Sequence, residues 1–302
     1  MKDNEALKSK LHERNKHNRH YDFELLTAVV PGLALHLIKN PSGADTIDFS
    51  DPDAVILLNK ALLISTYGIT LWELPPGNLC PPVPGRADYI HYIADLLAKS
   101  NRGIVPTGPR VKIMDIGVGA NTIYPIIGVS EYGWEFVASD VNRGSFDAAS
   151  AIVQGNTLLK DHVFLRFQKE PRSFLKNIVE LGERFDAVIC NPPFFKSESE
   201  AVKQTTRKLK NLGKDVQQKP VRNFGGQQTE LWFDGGELRF ISLYIKESFY
   251  FAQQARWFTT LVSNQDNLKP LRRLLTKTGV KEQRIIHMAQ GNKASRILAW
   301  KF

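Results

Sequence analysis

The sequence predicts an α/β fold: a seven-stranded, mostly parallel, doubly wound sheet behind an N-terminal helical accessory region. Three observations predict it. From Val111 onward, short apolar runs alternate with helical patterns, the mark of a sheet covered by helices. Three of those strand ends carry ligand-type residues, namely Gly117-Val118-Gly119, Asp140 and Asn191-Pro192-Pro193-Phe194. Before residue 100 the apolar residues recur at helical spacing instead.

The first twenty residues are polar and basic. Lys2, Lys8, Lys10, Arg14, Lys16 and Arg19 stand against Asp3, Glu5 and Glu13. Such a stretch suits an arm that touches phosphates and orders on binding, though taken alone it reads first as a plain solvated terminus. His12, His17 and His20 have no carboxylate or cysteine set around them, so no metal is expected. Asp22 caps a short helix, and Asp51-Pro52-Asp53 opens another that runs to Tyr67 and stops at Gly68. A connector from Leu74 to Gly85 holds five prolines. Tyr89, Ile93 and Leu96 then form the apolar face of a helix that begins near Arg86. These features divide the chain into 1–100, the arm and helical region, and 101–302, the sheet domain.

Within the sheet domain, Val111–Ile116 is the first strand and enters the loop Asp115-Ile116-Gly117-Val118-Gly119-Ala120-Asn121. Glycines there let a ligand approach the backbone. A third glycine at the dinucleotide spacing is missing, so the loop suits a ligand without a pyrophosphate. Trp134–Asp140 is the second strand. Its terminal Asp140 lies 23 residues beyond Gly117, near the offset at which an acid takes ribose hydroxyls. Arg143–Leu159 fits a helix and Val163–Phe167 a third strand, with Gln168-Lys169-Glu170 after it. Phe185–Cys190 is the fourth strand. Asn191-Pro192-Pro193-Phe194-Phe195 ends it as a stiff corner, because neither proline can donate to a ladder and Asn191 and Pro192 each precede one. Glu237–Gln254 and Asn267–Thr278 fit helices, Trp257–Ser263 a fifth strand, and Arg284–Met288 with Arg296–Trp300 a closing pair.

That corner carries the chemistry. An exocyclic amine on a nucleobase is a poor nucleophile, because its lone pair is delocalised into the ring. Acceptors on both of its hydrogens favour a pyramidal nitrogen and free the lone pair. The Asn191 side-chain oxygen and the Pro192 carbonyl can be those acceptors, and Phe194 or Phe195 can stack on the base at about 1–3 kcal/mol. The same four residues also suit an ordinary strand-ending turn. The ordered set of glycine loop, acid and Asn-Pro-Pro-Phe at successive strand ends is what points to an enzyme with a nucleoside cofactor.

The formal charge of +9 suits a polyanionic partner. After Phe195 the stretch 196–222 is basic, with Lys196, Lys203, Arg207, Lys208 and Lys210 prominent, and turns aromatic at Trp232-Phe233. We read 196–236 as a substrate loop combining phosphate contact with base stacking. The two cysteines are too few for a disulfide framework, and neither a signal peptide nor a membrane-spanning run is expected. A cytoplasmic protein follows.

The segments Arg86-Ala87-Asp88-Tyr89-Ile90-His91-Tyr92, Asp115-Ile116-Gly117-Val118-Gly119-Ala120-Asn121-Thr122-Ile123-Tyr124-Pro125 and Asn191-Pro192-Pro193-Phe194-Phe195 together resemble the RlmF family. These are bacterial 23S ribosomal RNA adenine-N6 methyltransferases, related to eukaryotic U6 small nuclear RNA adenine-N6 methyltransferases. The resemblance covers nearly the whole chain. It implies a class I methyltransferase fold with S-adenosyl-L-methionine (SAM) as donor, acting on 23S ribosomal RNA; a monomer is expected. By the same match Arg86 pairs with the methionine carboxylate. Asp115, Gly117, Gly119 and Asn121 belong to the cofactor loop. Asp140 holds the ribose, Glu170 lies near the cofactor adenine, and Asn191 touches both cofactor and target amine. The basic groove implied over the site would use Lys10, Arg14, Lys16 and the 196–236 loop from Phe195 on. Asn-Pro-Pro-Phe is shared with guanine-N2 and glutamine-N5 methyltransferases, so guanine-N2 methylation, protein methylation and an inactive RNA-binding module stay as alternatives.

Overall fold

The computed structural model describes residues 11–193, 195, 232–290 and 293–302. The N-terminal region comprises α1 (Phe23–Val29), a hairpin of β1 (Leu37–Lys39) and β2 (Asp45–Ile47), α2 (Pro52–Tyr67) and α3 (Val83–Lys99). The sheet strands are β3 (Lys112–Ile116), β4 (Glu135–Asp140), β5 (Val163–Phe167), β6 (Ala187–Cys190), β7 (Phe258–Val262), β8 (Glu282–Gln290) and β9 (Lys293–Lys301). Among them run α4 (Ile123–Tyr132), α5 (Arg143–Gln154), α6 (Thr157–Lys160), α7 (Gly236–Ser248) and α8 (Leu268–Thr278).

The seven strands lie in the order β5-β4-β3-β6-β7-β9-β8. The first five are parallel, and the β8–β9 hairpin adds antiparallel to β7. From β3 the chain winds to one side through β4 and β5, then returns to the other side of β3 with β6. The reversal lies between the carboxyl ends of β3 and β6, where open α/β sheets bind ligands. Pleating sends Ile113 into one core with α3 and α4, and Met114 and Ile116 into the other with α7 and α8.

Three expected elements change. Residues 31–50 contain a hairpin where only helices were expected. Asn40 makes its turn by accepting from Ser42 N (3.0 Å) and Ala44 N (2.9 Å), with Gly43 at φ 80°. The helix expected from Arg86 begins at Val83, because Pro84 in the first turn starts a helix rather than breaking it. The helix expected over 143–159 is split between α5 and α6 at Gly155-Asn156. There Asn156 leaves the helical pattern to accept from Thr70 N (2.6 Å) and Leu71 N (3.1 Å). Across residue 100 the packing is continuous. Tyr89, Ile90 and Ile93 of α3 share one continuous core with Ile113, Phe136 and Ile189 of the sheet.

The N-terminal segment is the largest departure. Residues 11–20 lie on α3 with His12, Asn15 and His17 buried. Asn15 donates to the Pro84 carbonyl (2.8 Å) and the Asp88 carboxylate (2.5 Å), and His12 meets Asp95 at 2.9 Å. Arg14 spends its guanidinium on Asp95 (2.6 Å), the His91 carbonyl (3.0 Å) and the Tyr132 hydroxyl (3.1 Å). Lys16 pairs with Glu131 at 2.9 Å. These cations latch the segment to α3 and α4, so it is a packed segment and not a free arm. Lys10 lies outside the described residues.

Candidate active site

A cavity of about 510 Å³ opens at the carboxyl ends of β3, β4 and β6, at the reversal of strand order. Its floor is the loop after β3. Gly117 and Gly119 take φ of 74° and 64°, a left-handed backbone that disfavours a side chain. A Cβ on Gly117 would meet no protein atom within 4 Å, so the space above it is open. Gly117 N and Val118 N both donate to the Ser139 carbonyl at 2.9 Å, tying the loop to the end of β4. Asp140 completes the tie. Its two oxygens accept from Gly119 N and Asn142 N, each at 2.8 Å. Burial raises the Asp140 pKa, and the backbone N–H groups of Asn142, Gly119 and Val141 act against that rise.

Arg86, Asn121 and Asp140 line this cavity together with both glycines. Arg86 donates to the Tyr124 hydroxyl (2.9 Å), and no described carboxylate lies within salt-bridge distance of it. Its cation is therefore available to an anion. Asn121 is held from both sides: its carbonyl accepts from Trp72 Nε1 (2.9 Å), and its side-chain oxygen accepts from Ile123 N (3.1 Å). Asp115 is fully buried on β3 beneath the cavity, and neither carboxylate oxygen has a described partner. Burial first and the Asp140 charge second push its pKa up to about 8, against the pull of Arg86.

Glu170 is not part of this wall. Its carboxylate lies outside, holding Ser173 Oγ (3.0 Å), Asn177 Nδ2 (2.9 Å) and Lys176 Nζ (3.2 Å), which keep its pKa below the usual range. The wall after β5 is instead Gln168 with Pro171, Arg172, Ser173 and Phe174. Gln168 is buried and donates to the Lys176 carbonyl (2.9 Å). Glu247 of α7 fixes the same wall by accepting from Phe174 N, Leu175 N and Lys176 N at 2.8–3.0 Å. Gln168 carries no charge to draw attention in the sequence, and Glu247 meets its partners across more than seventy residues.

At the end of β6, Asn191 lines the cavity with its side-chain oxygen buried and without a described partner. Such an orphan is rare inside a protein and marks a waiting donor. Pro193 shares the wall; Pro192 is buried, is not among the lining residues, and its carbonyl has no described hydrogen bond. Phe195 belongs to the cavity wall rather than to an outer surface. It bridges to Trp232, and Phe233 N donates to its carbonyl at 3.0 Å. Trp232 Nε1 is also buried without a described partner. Phe194, Lys196, Lys203, Arg207, Lys208 and Lys210 lie outside the described residues.

Two hydroxyls hold the Asn191 strand end in place. After Val188 the β6–β7 pairing lapses. Cys190 N donates to the Tyr89 hydroxyl (3.3 Å), Tyr89 meets Thr259 Oγ1 (2.8 Å), and Thr259 donates to the Val188 carbonyl (2.9 Å). This relay from α3 through β7 stands in for missing ladder bonds one residue before Asn191. Tyr89 was expected only as part of an apolar helix face, and nothing local in the sequence marks its hydroxyl.

A glycine loop tied to an acid at the next strand end, with an unpaired asparagine facing them across the reversal, defines a class I methyltransferase site. The chain belongs to the RNA methyltransferase family, whose match spans residues 5–302. It is 50% identical over 297 residues to the ribosomal RNA large subunit methyltransferase F of Pseudomonas entomophila, covering 98% of this chain and 94% of that one. It is 49% identical over 317 residues to the protein of the same name from Shewanella frigidimarina, covering 100% and 88%. Among solved structures, the hMettl16 catalytic domain in complex with MAT2A 3'UTR hairpin 1 superposes with a TM-score of 0.80 at 29% identity, covering 97% of this chain and 96% of that one. The N-terminal domain of human METTL16 in complex with SAH gives 0.76 at 27%, covering 97% and 99%. The chain is an RNA methyltransferase, and its cofactor is SAM.

Proposed function

We propose that the chain methylates N6 of one adenosine in 23S ribosomal RNA, acting as a monomer in the cytoplasm. The observation that carries this reading is the orphaned Asn191 oxygen on the cavity wall. Ribosomal RNA comes from the names of the half-identical relatives, and an RNA-bound neighbour supports an RNA substrate.

The residues fit the cofactor. Arg86 would hold the methionine carboxylate, Gly117, Gly119 and Asn121 the cofactor loop, and Asp140 the ribose hydroxyls. SAM, when bound, supplies an electrophilic methyl group on a sulfonium. The chain's own part is to present the amine. Asn191 Oδ1 on the cavity wall accepts one hydrogen of the amine, the Pro192 carbonyl takes the other once the corner turns it toward the base, and the pyramidalised nitrogen has its lone pair freed. Phe195 and Trp232 offer aromatic faces to a base lifted from its stack. No described side chain is needed as a base, because the proton can leave to water after transfer.

Asp115 predicts a pH dependence. A raised carboxyl pKa means that the fold opposes ionisation, so stability present below about pH 4 is lost as pH rises toward 8. A cofactor with net positive charge favours the carboxylate, lowers that pKa and releases a proton on binding. SAM affinity should therefore rise between pH 6 and about 8 and then level off, with Asp115→Asn giving a flat profile. Calorimetry in buffers of different ionisation enthalpy measures both effects.

Tyr89→Phe removes the acceptor of Cys190 N–H and leaves a buried donor unpaired, a cost of about 1–3 kcal/mol. We expect kcat to fall about tenfold as the Asn191 corner loosens, with the SAM Kd changed less. Single-turnover kinetics beside cofactor titration separates the two.

Incubating deproteinised 23S ribosomal RNA with the enzyme and methyl-labelled SAM tests the substrate assignment. Label in N6-methyladenosine after digestion is expected. Label in N2-methylguanosine would replace the reading with guanine methylation, and unlabelled RNA with retained RNA binding would leave only a binding module.

A further inference from the structure

Away from the active site, a groove of about 430 Å³ runs between α8 and the edge strand β8. Lys269, Arg272 and Arg273 line it, with Gln265, Thr276 and Gln283 beside them. All three cations are exposed, and no described carboxylate lies within salt-bridge distance of any of them. Arg272 is fixed in place, its Nε donating to Gln283 Oε1 at 3.1 Å. The nearest acids by sequence do not neutralise the groove. Glu282 is taken up by Arg284 and Lys301 (2.7 Å), and Asp266 sits on the turn before α8 outside the lining.

The composition of α8 sharpens the point. Leu268, Leu271 and Leu275 are buried and hold the helix to the sheet. That core face leaves Lys269, Arg272 and Arg273 to set the character of the outer one. Three cations gathered without acids repel one another, so the groove gains from a polyanion. Hydrogen bonds tie its Gln265 end to the carboxyl end of the sheet. Gln265 is bonded to Arg296 (3.1 Å) at the β7 carboxyl end. There Glu237 accepts from Ser263 N (2.6 Å) and Asn267 Nδ2 (2.7 Å), three residues after Asp234 of the cavity wall.

We infer that this groove binds the phosphodiester backbone of the substrate RNA beyond the target adenosine, as an anchor separate from the catalytic cavity. The guanidinium and ammonium groups meet phosphate oxygens, and the glutamines face the sugars. The anchor reads no sequence. It lengthens the footprint, so a long RNA is held more tightly than a hairpin that fills only the cavity. The inference rests on the RNA-methylating reading above.

The test is the double variant Lys269→Glu/Arg273→Glu beside Lys269→Gln/Arg273→Gln, which keeps the fold check independent of charge reversal. Both positions are exposed, and circular dichroism with thermal melting confirms the fold. Binding is measured on a short target hairpin and on a long 23S fragment containing it, across a salt series. On the long fragment, the Gln variant should bind at least about tenfold more weakly, with a log–log salt slope shallower by about 1.5, from roughly 0.7–0.9 per phosphate contact. Methylation of the short hairpin should be unchanged. Unaltered affinity and slope on the long fragment would overturn the inference. So would equal losses on long and short RNA, which would signal a diffuse field rather than an anchor. If wild type binds RNA, the variants weaken the long fragment and no methyl group is transferred, the anchor stands and the methylation reading falls.

Discussion

Asn191→Ala is expected to lower methyl transfer by about 10³-fold or more, the scale on which loss of one preorganised polar partner at a reacting centre acts. The effect should fall on the chemical step. The side chain makes no described hydrogen bond through its oxygen, so its removal costs the fold little. The cofactor loop is tied elsewhere, by Ser139 and Asp140, so SAM binding should weaken less than about tenfold. Asn191→Asp is the informative companion. It keeps an acceptor and adds a charge, so partial activity in that variant with none in Asn191→Ala assigns the role to hydrogen-bond acceptance. Full activity in Asn191→Ala, measured by single-turnover transfer to ribosomal RNA, would remove the residue from the mechanism.

The second large effect is at Asp140. Its carboxylate is both the tether of the glycine loop and the expected ribose partner. Asp140→Ala leaves Gly119 N and Asn142 N without their acceptor, and hydrogen bonds to a charged group contribute about 1.5–3 kcal/mol each. SAM affinity should fall at least about 100-fold, since every 1.4 kcal/mol is tenfold. Asp140→Asn can still accept at one oxygen and should recover part of the loss. A Kd for Asp140→Ala within threefold of wild type, by calorimetry, would contradict the assignment. The contrast matters more than either number: Asn191→Ala removes turnover with the cofactor still held, and Asp140→Ala removes the cofactor itself.

These residues were legible in the sequence because each stands where a regular pattern stops. Asp140 and Asn191 close apolar runs, and Gly117 and Gly119 interrupt one, so position along the strand carried the signal. The sheet was legible for the same reason: all seven strands fall where apolar or β-branched runs were read. What escaped was built from partners far apart in the chain. Asn15 and His12 meet Asp88 and Asp95 across more than seventy residues, so a segment that reads as a basic arm folds onto α3. Tyr89 reaches Cys190 and Thr259 across 101 and 170 residues, and only the folded protein shows its hydroxyl filling a ladder gap. Glu170 drew attention as a charge after a strand, yet Lys176 and Asn177 hold it outside, and Gln168 two residues earlier turns inward. Local sequence told where the chain changes direction; long-range pairing decided which side chains face the cavity.

The most direct measurement is nucleoside mass analysis of 23S ribosomal RNA from cells lacking this protein, complemented with wild type or with Asn191→Ala. Loss of a single N6-methyladenosine, restored by wild type and not by the variant, is the predicted result. An unchanged N6-methyladenosine content in the deleted strain, or its full restoration by Asn191→Ala, would contradict the claim that the Asn191-Pro192 corner presents an adenine amine for methylation.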